Sequence, residues 1–354
     1  MAAKFNRGDV SEGILAAAIT ARFVSKTTDV TDQDVINTIR KIKQNRPRKS
    51  SSGLTTTTNL VSENYNPRVK DTVVCLVNLA EVNMKAFLNL NTYRRSDIKG
   101  LVSAARKFAN GRYIKEWADM MYNNNQKNKI EVLSQGLLDQ SGTKVDLKVV
   151  IDGKQAGVGV SLKAGDVKQF GQVGGTRWAA MKELFQPLGV KMTSNLEKDY
   201  IDLIAQKRLA PALTLIYREA TDQINRMDSE KFAKSLADFM DYHATRGERN
   251  VVLVRTTRAD ARVYNFSNLK KGLKGSDVKV KLTSGTTSKL QGGGYKGGSK
   301  IPKMVFLIDD NVLVSIRVKM EGNRLNPQGK RLPLTVRSLV EKGPVTEKLT
   351  KEQE

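Results

Sequence analysis

The sequence predicts an α/β protein with a basic, β-rich C-terminal part, and three observations lead there. Helix-periodic runs alternate with short β-rich runs through the first 250 or so of the 354 residues. Beyond that point the pattern turns to short β runs in succession. With 39% hydrophobic residues, the chain can bury an ordinary core.

The elements follow in order. Residues 13–24 read as a helix with Ile14, Leu15, Ala18 and Ile19 on one face. Ser11 or Asp9 can cap it, which puts Glu12 in the first turn, at the positive end of the helix dipole. A second helix fits residues 32–44. Residues 45–66 are rich in Ser, Thr, Asn and Pro, with the basic cluster Arg46, Arg48 and Lys49 at their start, and read as a linker or insertion. Residues 71–78 read as a strand, 97–110 and 113–124 as helices, and 129–133 as a strand. A β-rich run over 145–151 turns at Asp152-Gly153, a strong hairpin signal, and returns over 155–162. Residues 167–188 look helical after an irregular Gly-containing stretch, and further helices fit 197–207 and 211–240. The β runs then fall at 251–255, 262–266, 278–282, 303–307 and 312–319. The expected organisation is a core over 1–250, a basic β-rich subdomain over 251–340 and a polar tail over 341–354.

Charge is the strongest global signal: 60 Lys+Arg against 36 Asp+Glu give a formal +24. Such a surface gathers polyanions, and nucleic acid binds it through phosphate contacts that release counterions. Between residues 278 and 308 there are six lysines (Lys279, Lys281, Lys289, Lys296, Lys300 and Lys303) and no acid. These lysines, with Arg46, Arg48 and Lys49, are the candidate backbone-gripping residues. One cysteine, Cys75, excludes an intrachain disulfide or a cysteine-cluster zinc site. One histidine, His243, excludes a multi-histidine metal site and reads as a surface or satisfied residue. No apolar run approaches the ~18 residues needed to span a bilayer, so no membrane partner is expected. The N-terminus lacks an apolar h-region, so a cytoplasmic or virion-associated location is expected rather than secretion.

No phosphate-binding loop signature exists, and Gly157-Val158-Gly159 lies inside a strand without a third glycine. Ser161 and Lys163 are not spaced as a Ser-x-x-Lys acylase pair. What survives is a hairpin with Asp146 opening one strand and Lys163 closing the next. Side chains alternate along a strand, so Ser161 and Lys163 share a face, and the hairpin folds both back toward Asp146. A carboxylate, an ammonium and the Leu162 carbonyl then meet at one sheet edge. Metal-dependent phosphodiester cleavage uses such a set: oxygen ligands for a hard cation and a positive charge beside the phosphate.

The stretch KVDLKVVIDGKQAGVGVSLKAGDVKQFGQ resembles the PD-(D/E)XK, or restriction-endonuclease-like, nuclease superfamily, and the long basic extensions look like those of its phage-encoded members. Asp146 matches the first acid of that pattern, and Ser161-Leu162-Lys163 occupies the (D/E)-x-K position. The resemblance implies a mixed central sheet flanked by helices and Mg²⁺- or Mn²⁺-dependent hydrolysis of phosphodiesters, foremost in DNA. Asp146, the Leu162 carbonyl and a helix-borne Glu12 would hold the metal, and Lys163 would assist the attacking water. Ser161 and Gln169, the latter in a helix after the lysine strand, would tune the site. Ser161 departs from the pattern, which requires a carboxylate there. The alternatives are a non-catalytic nucleic-acid-binding protein or a virion or assembly protein on the same fold. The oligomeric state stays open, a homodimer included.

Overall fold

A helix that is apolar on nearly every side must be enclosed, and α1 (Arg7–Ser25) is: thirteen of its residues, from Val10 to Phe23, are buried. In this computed structural model it packs against β3 and α4. The structure describes residues 7–25, 29–45, 48–50, 53–61, 72–79, 81–90, 95–123, 129–134, 145–164, 169–245, 251–256, 261–264, 273, 276–287, 300–319 and 335–340.

The chain is α/β and divides into two units, one built on residues 1–167 and 248–264, the other on 168–247 and 265–351. The division therefore falls elsewhere than the expected boundary at 250. Residues 251–264 return to the first unit because β8 (Val251–Thr256) pairs in parallel with β6 (Lys154–Ala164).

The first unit carries an eight-stranded sheet. Its order is β1 (Arg48–Ser50), β2 (Gly53–Val61), β3 (Thr72–Leu79), β4 (Lys129–Ser134), β5 (Leu147–Ile151), β6, β8 and β9 (Ala261–Tyr264). The pairs β3–β4 and β6–β8 are parallel and the rest antiparallel. The expectation of a linker over 45–66 fails for β2, which pairs with β3 from Leu54↔Leu79 to Val61↔Thr72. Its Thr55–Thr58 run supplies β-branched side chains that favour extended backbone. α2 (Asp32–Gln44) starts where the sequence indicates, closed by a capping box between Thr31 and Asp34. The helices α3 (Glu81–Leu88), α4 (Arg95–Asn110) and α5 (Arg112–Asn123) complete the described part of this unit.

The second unit joins helices to a five-stranded antiparallel sheet of order β10 (Val278–Thr287), β11 (Lys300–Ile308), β12 (Asn311–Lys319), β13 (Thr335–Val340) and β7 (Gln169–Gly174). The expected helix over 167–188 is therefore a strand followed by the short α6 (Trp178–Phe185). A Cβ on Gly171 would lie 2.6 Å from the His243 Cβ, so this strand is seated where only glycine fits. The expected single helix over 211–240 is two, α8 (Leu209–Asn225) and α9 (Ser229–Thr245). The Asp228 carboxylate ends the run by accepting the Glu230 and Lys231 N–H groups at the head of α9. α7 (Ser194–Ala205) precedes them, capped by Thr193. His243 is buried, with Nε2 3.3 Å from the Leu184 carbonyl, so it is a satisfied interior residue.

Candidate functional site

In the first unit β3, β4, β6 and β8 run in one direction, as the pairings through antiparallel β5 require. Their carboxyl ends and the start of β5 thus lie at one end of the sheet, the end where open α/β sheets bind ligands. Asp146 precedes β5, while Ser161, Leu162 and Lys163 lie near the end of β6. The turn that brings them together is the Asp152-Gly153 pair, with φ of 49° and 81°. Both values are left-handed, as a two-residue hairpin turn of the twisted type demands. The Asp152 carboxylate accepts the Lys129 N–H at 2.8 Å, at the far end of β5 from Asp146, which makes it part of the turn.

Asp146 is held by the strand it faces. Its N–H donates to the Val160 carbonyl at 2.8 Å, and its Oδ2 accepts the Leu162 N–H at 2.6 Å. Lys163 Nζ lies 3.8 Å from the same Oδ2 and donates to the Leu162 carbonyl at 3.1 Å. Ser161 is 1% exposed, with its Oγ 3.4 Å from the same ammonium. The Leu162 carbonyl, expected as a metal ligand, is thus engaged by Lys163. Alternation does place Ser161 and Lys163 on one face.

Glu12 comes to this group from α1. The helix begins at Arg7, ahead of the start at residue 13 that the sequence suggested, so neither Asp9 nor Ser11 caps it and Glu12 lies beyond its first turn. The Ser11 hydroxyl instead bonds back to the Arg7 carbonyl at 2.6 Å, a bond available only inside a formed turn. Burial pushes the Glu12 carboxyl up to about 9; repulsion from Asp146 and then Asp9 adds to this, and Lys163 opposes it. Its Oε2 is buried without a hydrogen-bond partner among the described residues. Such an atom is costly unless a proton or a cation satisfies it.

Two participants escaped the sequence reading. Asp9 stands three residues before Glu12, on the same helix face, and accepts a hydrogen bond from the buried Asn83 side chain just after β3. The i, i+3 spacing of the two acids was its signal. Ser134 closes β4 at the same sheet end, buried and with a hydroxyl that bonds no described residue.

The other candidates belong to the second unit or have side chains outside the described residues. Gln169 belongs to the second unit, on strand β7 rather than a helix, where its amide donates to Gln172 at 2.7 Å. Lys279 is exposed but ion-paired with Asp277, while Lys281 is exposed and Lys303 half-buried. Arg46, Lys289 and Lys296 lie outside the described residues, as do the side chains of Arg48, Lys49 and Lys300.

Asp146 and Glu12 are the carboxylates of this group that could hold a cation. Among the described residues no three His, Cys, Asp or Glu side chains are grouped to hold a metal. Two carboxylates with one orphaned oxygen suit Mg²⁺, which keeps several waters and binds through one or two carboxylates plus substrate phosphate. No family model matches the chain, and no curated protein or solved structure matches it either.

Proposed function

We propose that the first unit is a metal-dependent nuclease with a restriction-endonuclease-like core, hydrolysing phosphodiester bonds, foremost in DNA. The observation that carries this reading is the convergence of Asp146, Lys163 and Glu12 at the carboxyl end of the sheet. The antiparallel run β4-β5-β6, followed by a return to parallel β8, supports the same core. Asp146, fixed by the Leu162 N–H, and Glu12, with its unsatisfied oxygen, would hold the cation. A bound Mg²⁺ neutralises phosphate charge and acidifies a water. Lys163 holds its ammonium beside Asp146 and Ser161, where it stabilises negative charge building on the phosphate and orients the attacking water. Packing of α1 over this sheet end limits bulk water around Glu12 and strengthens each of these interactions.

One observation favours a binding protein instead: Ser161, at the position where the pattern places an acid, is buried and cannot replace a carboxylate ligand. The two readings part in one assay, with plasmid, single-stranded DNA and RNA in Mg²⁺, Mn²⁺ or EDTA. Metal-dependent cutting that falls to background in Asp146→Asn, with duplex binding retained, is the expected result. Metal-independent binding without cutting leaves the binder, and full activity in Asp146→Asn removes Asp146 from the site.

A further inference from the structure

None of the five strands of the second sheet contains an Asp or Glu, and together they carry seven Lys and Arg residues. The register sorts these charges by face. Lys281 pairs with Val305, Val305 with Ser315, and Ser315 with Leu339. Arg317 and Arg337, two residues along, therefore share that face with Lys281 and Lys303. The opposite face carries Val280, Met304, Phe306, Val314, Ile316 and Val336, all buried. There the Phe306 ring stacks on Phe232 and Phe239 of α9.

One row crosses the sheet near its end. Thr283 pairs with Lys303, Arg317 pairs with Arg337, and Arg337 pairs with Gln172. Met304 faces Ile316, so Lys303 and Arg317 are the next positions along on neighbouring strands. Thr283 and Arg317 are exposed, and Lys303, Arg337 and Gln172 are half-buried. At ~4.8 Å between strands, five such positions span roughly 19 Å. Arg317 and Arg337 stand directly opposite each other on neighbouring strands, a pair of guanidinium groups that one phosphate can bridge. Among the described residues Asp277, Asp309 and Asp310 flank Lys279 at the other end, four residues or ~13 Å along β10. On the helical layer α7, α8 and α9 each hold more Asp and Glu than Lys and Arg, so polyanion is drawn to the sheet.

We infer that the Thr283–Lys303–Arg317–Arg337–Gln172 row is a binding track for the phosphate backbone of double-stranded nucleic acid. The choice of duplex follows from the aromatic residues. Phe170 and Phe306 are the only aromatic residues of these strands among the described residues, and both are buried in the ring cluster around Phe239. The track therefore offers cations and amides without a base-stacking platform, which single-strand binders require. It rests on the nuclease reading only in the choice of nucleic acid as polyanion, and it stands if cleavage is never seen.

The test is binding of the full chain in EDTA to a 30-base-pair duplex and to the corresponding single strand, over a series of salt concentrations. Arg317→Gln with Arg337→Gln should flatten the log–log salt slope on duplex by ~1–2 units, since each phosphate contact contributes about −0.9. Arg317→Gln alone, at an exposed position, gives about half the change and keeps the test open if the double variant misfolds. An unchanged slope and affinity in either variant overturns the track. Equal loss on duplex and single strand overturns the duplex assignment. Both outcomes are independent of Asp146→Asn, which tests cleavage alone.

Discussion

In the metal-free protein the Glu12 carboxyl is buried on α1 and faces the like charges of Asp146 and Asp9, and burial first, then those charges, raise its affinity for a proton. Its value of about 9 in the fold exceeds the ordinary 4.5, so the folded state binds the proton more tightly than the unfolded chain. Its stabilising contribution is full below pH 4.5 and declines as pH rises toward 9. Glu12→Gln mimics the protonated group at every pH. At pH 8 in EDTA this variant should be more stable than wild type, by on the order of a few kcal/mol at one unit per 1.36 kcal/mol. Wild type should gain stability on adding Mg²⁺, whereas the variant should gain little and cleave little. Thermal melts at pH 5 and pH 8, with and without Mg²⁺, check this; parallel pH profiles for the two proteins would remove the buried-charge account. At this scale the sequence showed the identities of Asp146, Lys163 and Glu12 but not the surroundings of Glu12. Asp9 is a local neighbour on α1, but the Asn83 side chain reaches Asp9 only because α1 and the residues after β3 meet, a contact that no local pattern encodes.

The legible elements are those whose signals are local. α2 carries its own capping box, and β5 and β6 carry their turn between them. The unread ones depend on distant partners: β7 forms its ladder with β13, more than 160 residues later, and helical pattern alone cannot reveal that pairing. The Asp152-Gly153 turn sets the pairing from Ile151↔Lys154 to Val149↔Ala156, and a register shift then puts Leu147 opposite Val160 and brings Lys163 back to Asp146, so the site depends on the turn and on that shift. Asp152→Asn should be neutral to within about 0.5 kcal/mol, because Asn tolerates the left-handed region and keeps an oxygen for the Lys129 N–H. Gly153→Val should cost about 1–2 kcal/mol, since its φ of 81° suits a β-branched residue poorly. Urea unfolding distinguishes the two, and equal effects would show that another feature sets the hairpin.

For the molecule as a whole, the return of 251–264 to the first unit decides what can fold apart from the rest. A chain ended after residue 167 lacks β8, whose six residues from Val251 to Thr256 pair with β6 from Gly159 to Ala164. That truncation bares a strand carrying Val160 and Leu162 between core layers, an edge prone to pair with other chains. Parallel strands need a crossover of a dozen or more residues, so direct fusion of 167 to 248 fails as well. Replacing residues 168–247 with a Gly/Ser linker of ~15 residues, and ending at 264, supplies that crossover and restores the β6–β8–β9 edge. This shortened chain should be soluble and unfold cooperatively in urea, whereas 1–167 should aggregate. It should also keep the Mg²⁺-dependent gain in stability, because Glu12, Asp146 and Lys163 all remain, while its duplex affinity in EDTA falls with loss of the second sheet. Solubility of 1–167 equal to that of the linked chain would mean that β6 needs no partner, and the first unit would then end at residue 167.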